Sequence, residues 1–258
     1  MEQYAKILYG NQAVWCKVID DKYYPLKSSI FEEKILVSYK PVKFKDEPVF
    51  LPPCEARKVI ALAYNYKGLV GKKNKYDEPL IFFKSLMGLI GHKAVVSYPP
   101  FAKKVWQEVE LTVVIKKRCK NVSLKTAAQY VLGYTCGNDI TCENILSRDW
   151  HLARSKGLDT FCPLGPFLVK GIDPDNLALS SYINGKTTQS SSTADMIISA
   201  RQSVALVSKY FTLEPGDVIL TGTPAGATDA VIRPGDTVTA KIESIGTLIN
   251  YIKKEKKL

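Results

Sequence analysis

Glu108 and Glu110 are separated by one residue, at the head of the apolar run Leu111-Thr112-Val113-Val114-Ile115. On a β-strand, residues i and i+2 share a face, so the two carboxylates project together. Held side by side they repel, and a positive group between them removes that cost. A hard divalent cation suits the position, because carboxylate oxygens are the ligands of Mg²⁺ and Ca²⁺. On its own a Glu-x-Glu pair also fits an exposed strand end. A second signal comes from Gly133-Tyr134-Thr135-Cys136-Gly137-Asn138-Asp139, an apolar strand running into Asn-Asp. Asp139 there offers a third oxygen ligand, although an Asp at such a point also suits a turn.

Such a constellation needs a rigid frame, and the sequence supplies short apolar runs. Residues 59–64, 80–83, 110–115 and 131–136 read as buried strands, the second ending in Lys84. Residues 4–9 and 13–19 flank Gly10-Asn11 and read as a β-hairpin, since Gly and Asn accept the positive φ of a tight turn. A third strand is expected near 23–26. Pro41, Pro48, Pro52 and Pro53 then punctuate a polar linker, with a boundary near residue 55. Residues 124–130 read as a short helix capped by Ser123, and 194–211 as a longer one capped by Thr193. Two Pro-Gly-Asp turns, 215–217 and 234–236, precede strands at 218–221 and 237–243. Strands recur without regular alternation with helices, so a mixed, rolled β architecture is expected rather than a Rossmann sheet. The segments 155–166 and 221–226 are dense in Gly and Pro and read as shaped loops.

The chain of 258 residues is 46% apolar and 24% charged, ordinary globular composition. Its formal charge of +11 favours anionic partners, either nucleic acid or small organic acids. The lysines are scattered, with short clusters at 72–75, 116–118 and 253–257. No aromatic platform interleaves them, so nucleic acid is not expected. None of the 6 cysteines forms a Cys-x-x-Cys pair, which argues against zinc. No segment approaches the roughly 18 apolar residues of a membrane helix. The N-terminus lacks a signal-peptide pattern, and a cytoplasmic location without membrane partners is the expectation.

Taken together, these segments resemble one family. Phe82-Phe83-Lys84, the Glu108-x-Glu110 strand, Gly137-Asn138-Asp139, the 155–166 loop, Asp195-Met196-Ile197 and Thr221-Gly222-Thr223-Pro224 follow the order and spacing of the fumarylacetoacetate hydrolase family. So do Gly235-Asp236 and Ile245-Gly246-Thr247-Leu248-x-Asn250. The resemblance spans about residues 59–252. It implies an α+β fold: a mixed β-roll core over residues 56–258, preceded by a small N-terminal β unit with its linker over 1–55, in a homodimer. It further implies a metal triad of Glu108, Glu110 and Asp139, holding Mg²⁺ and in some members Mn²⁺ or Ca²⁺. Lys156 matches a lysine beside the metal. Thr223, with Gly222 before it, matches the substrate-carboxylate threonine, and Lys84 matches a second lysine of the pocket. Substrates of the family are 2-oxo or β-dicarbonyl acids, including dicarboxylic and acylpyruvate types. Its members hydrolyse C–C bonds, isomerise double bonds or tautomers, or decarboxylate.

The sequence also departs from the family. Members commonly carry Asn-Tyr-x-x-His with a Glu three residues later, a pair that activates water. Here the segment is Asn65-Tyr66-Lys67-Gly68-Leu69, followed by Lys72. After Asp139, the common Ala-Arg-Asp reads Cys142-Glu143-Asn144. His92 and His151 are the remaining histidines, and neither stands at the base position. Hydrolysis needs a positioned base, whereas isomerisation needs only proton movement, for which Lys156 and Glu143 are candidates. Isomerase or tautomerase chemistry through a metal-stabilised enolate is therefore favoured over C–C hydrolysis. A member that binds metal and a small acid without turnover is the alternative. Residues 67–79, rich in Gly and Lys, read as a lid that could carry Lys72 or Lys73 to a distal carboxylate.

Overall fold

A computed structural model describes residues 1–70, 78–144 and 148–255. The expected N-terminal hairpin forms from Glu2–Tyr9 and Gln12–Ile19, with Tyr9 opposite Gln12. Gly10 and Asn11 between them both have positive φ (56° and 60°), the pair of angles a two-residue hairpin turn of matching twist requires. A third strand, Lys22–Pro25, pairs with the second. The other edge of Glu2–Tyr9 is shared between two partners. Residues 2–5 pair with Phe167–Lys170 and residues 6–8 with Val49–Leu51. The N-terminal unit therefore docks edge-on and extends the central sheet.

That sheet has ten strands. From the hairpin edge its path continues through Phe167–Lys170, Val131–Asn138, Val109–Ile115, Val218–Leu220 and Val59–Ala63, ending at Leu80–Lys84. Only Val218–Leu220 with Val59–Ala63 is parallel in this series. A second sheet of five strands runs in the order Lys186–Ser192, Ala178–Ile183, Thr237–Ile242, Gly246–Lys254, Val95–Tyr98. The architecture is a mixed β-roll with few helices, as the strand pattern predicts.

Every residue of Val109–Ile115 is buried, and period-2 alternation sends its side chains to two different cores. Val109, Leu111, Val113 and Ile115 face the second sheet, packing with Leu179, Ala240, Ile242 and Leu248 and with Val204 and Val207 of the main helix. Val114 faces the opposite core, with Phe82, Leu164 and Leu168. Glu108, Glu110 and Thr112 share that second phase.

The Pro-Gly-Asp turn at 215–217 does more than reverse the chain. Asp217 accepts from the backbone N–H groups of Glu214 (2.7 Å), Arg57 (2.9 Å) and Lys58 (2.8 Å), fastening the starts of the two parallel strands. At 234–236 the Asp236 carboxylate closes its turn the same way, on the N–H of Arg233 at 2.7 Å.

The helices differ from expectation in detail. The main helix is Ala200–Tyr210, capped by Ser199 in a capping box with Gln202, not a helix from 194 capped by Thr193. Residues 193–195 form a separate single turn, capped by Ser192. The intervening segment is held extended by Asn65, whose Oδ1 accepts from Ile198 N–H (2.9 Å) and whose Nδ2 donates to Ile198 O (3.0 Å) and Thr221 O (2.7 Å). The 124–130 helix is a four-residue α-turn followed by a 3₁₀ turn. Ser123 makes no capping bond there; its hydroxyl meets Thr126 Oγ1 at 3.0 Å.

Candidate metal centre

The strand pair Val109–Ile115 and Val131–Asn138 sets the carboxylates. Their antiparallel register puts Glu110 opposite Gly137 and Thr112 opposite Thr135. Gly137 has no alternative side chain: a Cβ there would lie 2.3 Å from Thr112 Oγ1. The ladder continues past the strand end, with Asp139 N–H on Glu108 O at 2.9 Å. Asn138 turns its own side chain inward, Oδ1 accepting from Glu108 N–H at 3.0 Å. Asp139 therefore arrives on the face already occupied by Glu108 and Glu110. Carboxylate oxygens from all three lie within 4.8 Å of one another.

Two lysines enter from other elements. Lys84, at the end of the sheet's last strand, has a fully buried side chain; its Nζ donates to Asp139 Oδ1 and, at 3.2 Å, to Ile140 O. Lys156 ends the short helix Ala153–Lys156 and bridges Asp139 Oδ2 (2.6 Å) and Glu108 Oε2 (3.0 Å). Its ammonium also lies 5.2 Å from the Phe82 ring centroid, a favourable cation–π arrangement. The helix is anchored by Asp149, which accepts from Ser155 N–H and Oγ, both at 2.6 Å.

Each carboxylate has a different environment. Glu108 Oε1 takes two donors at 2.7 Å, the Trp106 indole N–H and the Thr141 hydroxyl. Burial raises the Asp139 pKa, but Lys156 and Lys84 outweigh it and hold the carboxyl below its usual range. Lys156 is held above its usual value: burial opposes the charge, and Asp139 and Glu108 win. Glu110 is pushed well above the usual carboxylate range, by burial first and then by the charges of Asp139 and Glu108. Its Oε2 accepts from Gly222 N–H at 2.7 Å, and among the described residues no lysine pairs with it. Three carboxylates thus face two ammonium groups, with the deficit concentrated on Glu110.

This donor set fits a hard divalent cation. All the ligating atoms are carboxylate oxygens, and their spacing lets one ion touch three. Such an ion would reverse the local sign and stabilise the charge that burial otherwise suppresses on Glu110.

A cavity of about 260 Å³ opens over the centre, and Glu108, Asp139, Lys156 and Thr223 line it together with Trp106 and Leu69. Lys84, Glu110 and Gly222 are buried behind this wall. Gly222 has φ +96° and lies against Asn65, so it shapes the turn that delivers Thr223. Glu143 is not brought in: it is exposed, its N–H bonds Lys104 O at 2.8 Å, and it does not line the cavity. His151 is exposed. His92 accepts from Ile249 N–H through Nδ1 and packs on Phe50, and burial lowers its pKa to about 4. Lys72, Lys73 and the rest of 71–77 lie outside the described residues, while Lys67–Val70 forms one helical turn that brings Leu69 to the cavity. Trp106, Thr141 and Gln189 were not singled out from the sequence. The first two carried a readable signal, Trp106 lying two residues from Glu108 and Thr141 two residues from Asp139.

The fumarylacetoacetate (FAA) hydrolase C-terminal description matches residues 58–253. The chain belongs to the fumarylacetoacetate hydrolase family. It is 35% identical over 237 residues to a Bos taurus protein named mitochondrial oxaloacetate tautomerase FAHD2A, covering 85% of this chain and 74% of that one. Its fold superposes on 2-hydroxyhepta-2,4-diene-1,7-dioate isomerase from Mycobacterium marinum with a TM-score of 0.90 and 32% identity, over 100% of both chains. The fold is also shared with fumarylpyruvate hydrolase from Pseudomonas aeruginosa (TM-score 0.71, 24% identity, 83% of this chain and 94% of that one), a structure in complex with Mn²⁺ and pyruvate.

Proposed function

We propose that this protein is a divalent-metal-dependent enzyme that interconverts tautomers or double-bond isomers of a small 2-oxo acid. The observation that carries this reading is the buried Glu108–Glu110–Asp139 cluster, short of one positive charge, opening on a cavity whose wall includes Lys156. A divalent ion held there would supply a Lewis acid for the carboxylate and keto oxygens of a 2-oxo acid, and so lower the barrier to enolate formation. The chain's own residues do the remainder. Lys156, fixed by two carboxylates, adds a positive charge beside the developing enolate. Lys84 holds Asp139 in place from beneath. Trp106 and Thr141 orient Glu108, and Leu69 and Trp106 screen the cavity from water.

The balance between isomerisation and hydrolysis rests on Leu69, which lines the cavity where relatives of the common pattern carry a histidine. A positioned base is worth about 10²–10⁴-fold in rate, so hydrolysis suffers most. On this reading the partner is a small anionic 2-oxo acid, with no nucleic-acid or membrane partner, and the enzyme works as a homodimer. NMR-resolved product analysis of oxaloacetate, an acylpyruvate and a hydroxymuconate-type acid, with and without Mg²⁺, tests it. Mg²⁺-dependent tautomerisation or isomerisation exceeding hydrolysis is the expected result. Tight Mg²⁺-dependent oxalate binding with no turnover of any of the three would instead favour a family member that binds metal and a small organic acid without catalysis. Light scattering should give twice the chain mass.

A further inference from the structure

The cavity over the carboxylate cluster has two unlike ends. Its charged wall is Glu108, Asp139 and Lys156, with Lys156 bonded to both carboxylates. Among the described residues no other charged side chain lines it. Much of the remaining wall is apolar, and it includes Ala63, Leu69, Leu80, Leu152 and Ala227. The strand Leu80–Lys84 gives the direction from one end to the other. Lys84, Phe82 and Leu80 share one phase of that strand. Lys84 Nζ is on Asp139, and the Phe82 ring centroid lies 5.2 Å from the Lys156 ammonium. Two residues further along, Leu80 stands at the rim, 48% exposed and opposite Ala63 of the neighbouring strand. At about 3.3 Å per residue, that is about 13 Å from Lys84 along the strand. Leu152 precedes the short helix that carries Lys156 and packs on the same core cluster as Phe82. Leu69 comes from the single turn Lys67–Val70, and Ala227 from the turn that follows Thr223.

A 2-oxo acid that turns its C1 carboxylate and C2 oxygen to an ion on the three carboxylates must send the rest of its carbon chain away from them, towards the leucines. A second carboxylate carried to that end loses water and meets apolar groups, which is costly. An alkyl tail gains from the same burial. We propose that the site selects monocarboxylic 2-oxo acids with an alkyl tail over dicarboxylic ones, and that Leu69, Leu80 and Leu152 are the residues that read the tail. This rests on the metal-dependent 2-oxo acid reading above and narrows it to one substrate class. Binding of the C1 carboxylate and stabilisation of the enolate are untouched, because the selection acts at the far end of the molecule.

2-Oxoglutarate and 5-methyl-2-oxohexanoate share one skeleton of non-hydrogen atoms and differ in whether the tail ends in a carboxylate or an isopropyl group. Calorimetric titration of each in the presence of Mg²⁺ should favour the isopropyl acid about tenfold or more. Across 2-oxobutanoate, 2-oxopentanoate and 2-oxohexanoate, each added methylene should tighten binding about three- to fourfold, the worth of one buried CH₂. Equal affinities for the matched pair, tighter binding of 2-oxoglutarate, or a flat series would overturn the proposal. Leu80→Arg places a guanidinium at the exposed rim. It should move the ratio towards 2-oxoglutarate about threefold or more, the scale of an exposed charge pair. An unchanged ratio in that variant would show that the tail does not reach Leu80 and overturn its assignment. Should Leu80→Arg fail to fold, the matched pair and the series decide on the wild type. Oxalate, which has no tail, separates the two readings. If it and every tailed acid fail to bind in Mg²⁺, the proposed function fails and this inference with it; oxalate binding with the wrong order among the tailed acids defeats the inference alone.

Discussion

Glu110 is the carboxylate the proposed ion would serve most, because Glu108 and Asp139 already have lysine partners and Glu110 has a single backbone donor. Glu110→Ala should abolish Mg²⁺ binding by calorimetry while the circular dichroism spectrum is kept; an unaltered affinity would sink the triad. Lys156 has the converse role. It sits on two of the three carboxylates, so its removal unmasks metal ligands while deleting a cation from the cavity wall. In Lys156→Ala, oxalate affinity in Mg²⁺ should fall about tenfold or more, the scale of a charged hydrogen bond, while Mg²⁺ affinity holds or rises. Parallel loss of both affinities in a folded variant would count against a role for Lys156 in holding the acid. The clustering of the three carboxylates was legible in the sequence, since period-2 spacing and an Asp at a strand end are local signals. Gln189 was not, because it lies 80 positions from the Val109 N–H it fixes. Its contact exists only once the second sheet packs against the first.

At the scale of elements, the site depends on how closely two strands approach. Glycine at 137 lets Val131–Asn138 lie against Val109–Ile115 with the Thr112 hydroxyl directly beneath. Gly137→Ala should destabilise the fold by about 1–3 kcal/mol, the usual range for overpacking a core. Thr112→Ala should be mild, since Thr112 Oγ1 is buried without a hydrogen-bond partner. Combined, the two changes should restore much of the lost stability, because the remaining neighbours of the added methyl group are 3.3 Å away or more. Strictly additive losses in chemical denaturation would refute this account. The strand runs were readable from the sequence because they are apolar and bounded by turn residues. The main helix start was misread at Thr193 although Ser199 and Gln202 already spelled a capping box. What hid it was the apolar stretch Met196-Ile197-Ile198, which looks helical in sequence and is held extended by Asn65 from a distant loop.

For the whole molecule, the buried cluster couples metal, protons and stability. The pKa of Glu110 in the fold is raised above its unfolded value by burial and by Asp139 and Glu108, with Lys156 opposing. A raised pKa means the fold is favoured while the group is protonated, and that advantage is lost as pH climbs past the unfolded value of about 4.3 towards the folded one. Asp139 has the opposite sign: its depressed pKa adds stability that is complete once the pH exceeds the ordinary aspartate range. Above the ordinary aspartate range the Glu110 contribution therefore governs the difference, and metal-free protein should lose stability relative to Glu110→Gln as pH rises towards the raised pKa. On the proposed function, Mg²⁺ would bind the ionised site of the folded state and stabilise it by mass action, about 2.7 kcal/mol at a hundredfold excess over its dissociation constant. At low pH it must first displace the Glu110 proton. The Mg²⁺-induced rise in melting temperature should consequently be larger at about pH 8 than at about pH 5, and near zero at both in Glu110→Gln. Binding enthalpies measured in buffers of different ionisation heat should show proton release near pH 5 in the wild type alone. A thermal shift independent of pH, or unchanged by Glu110→Gln, would mean that the ion binds elsewhere and that the buried charge deficit does not shape the stability of the fold.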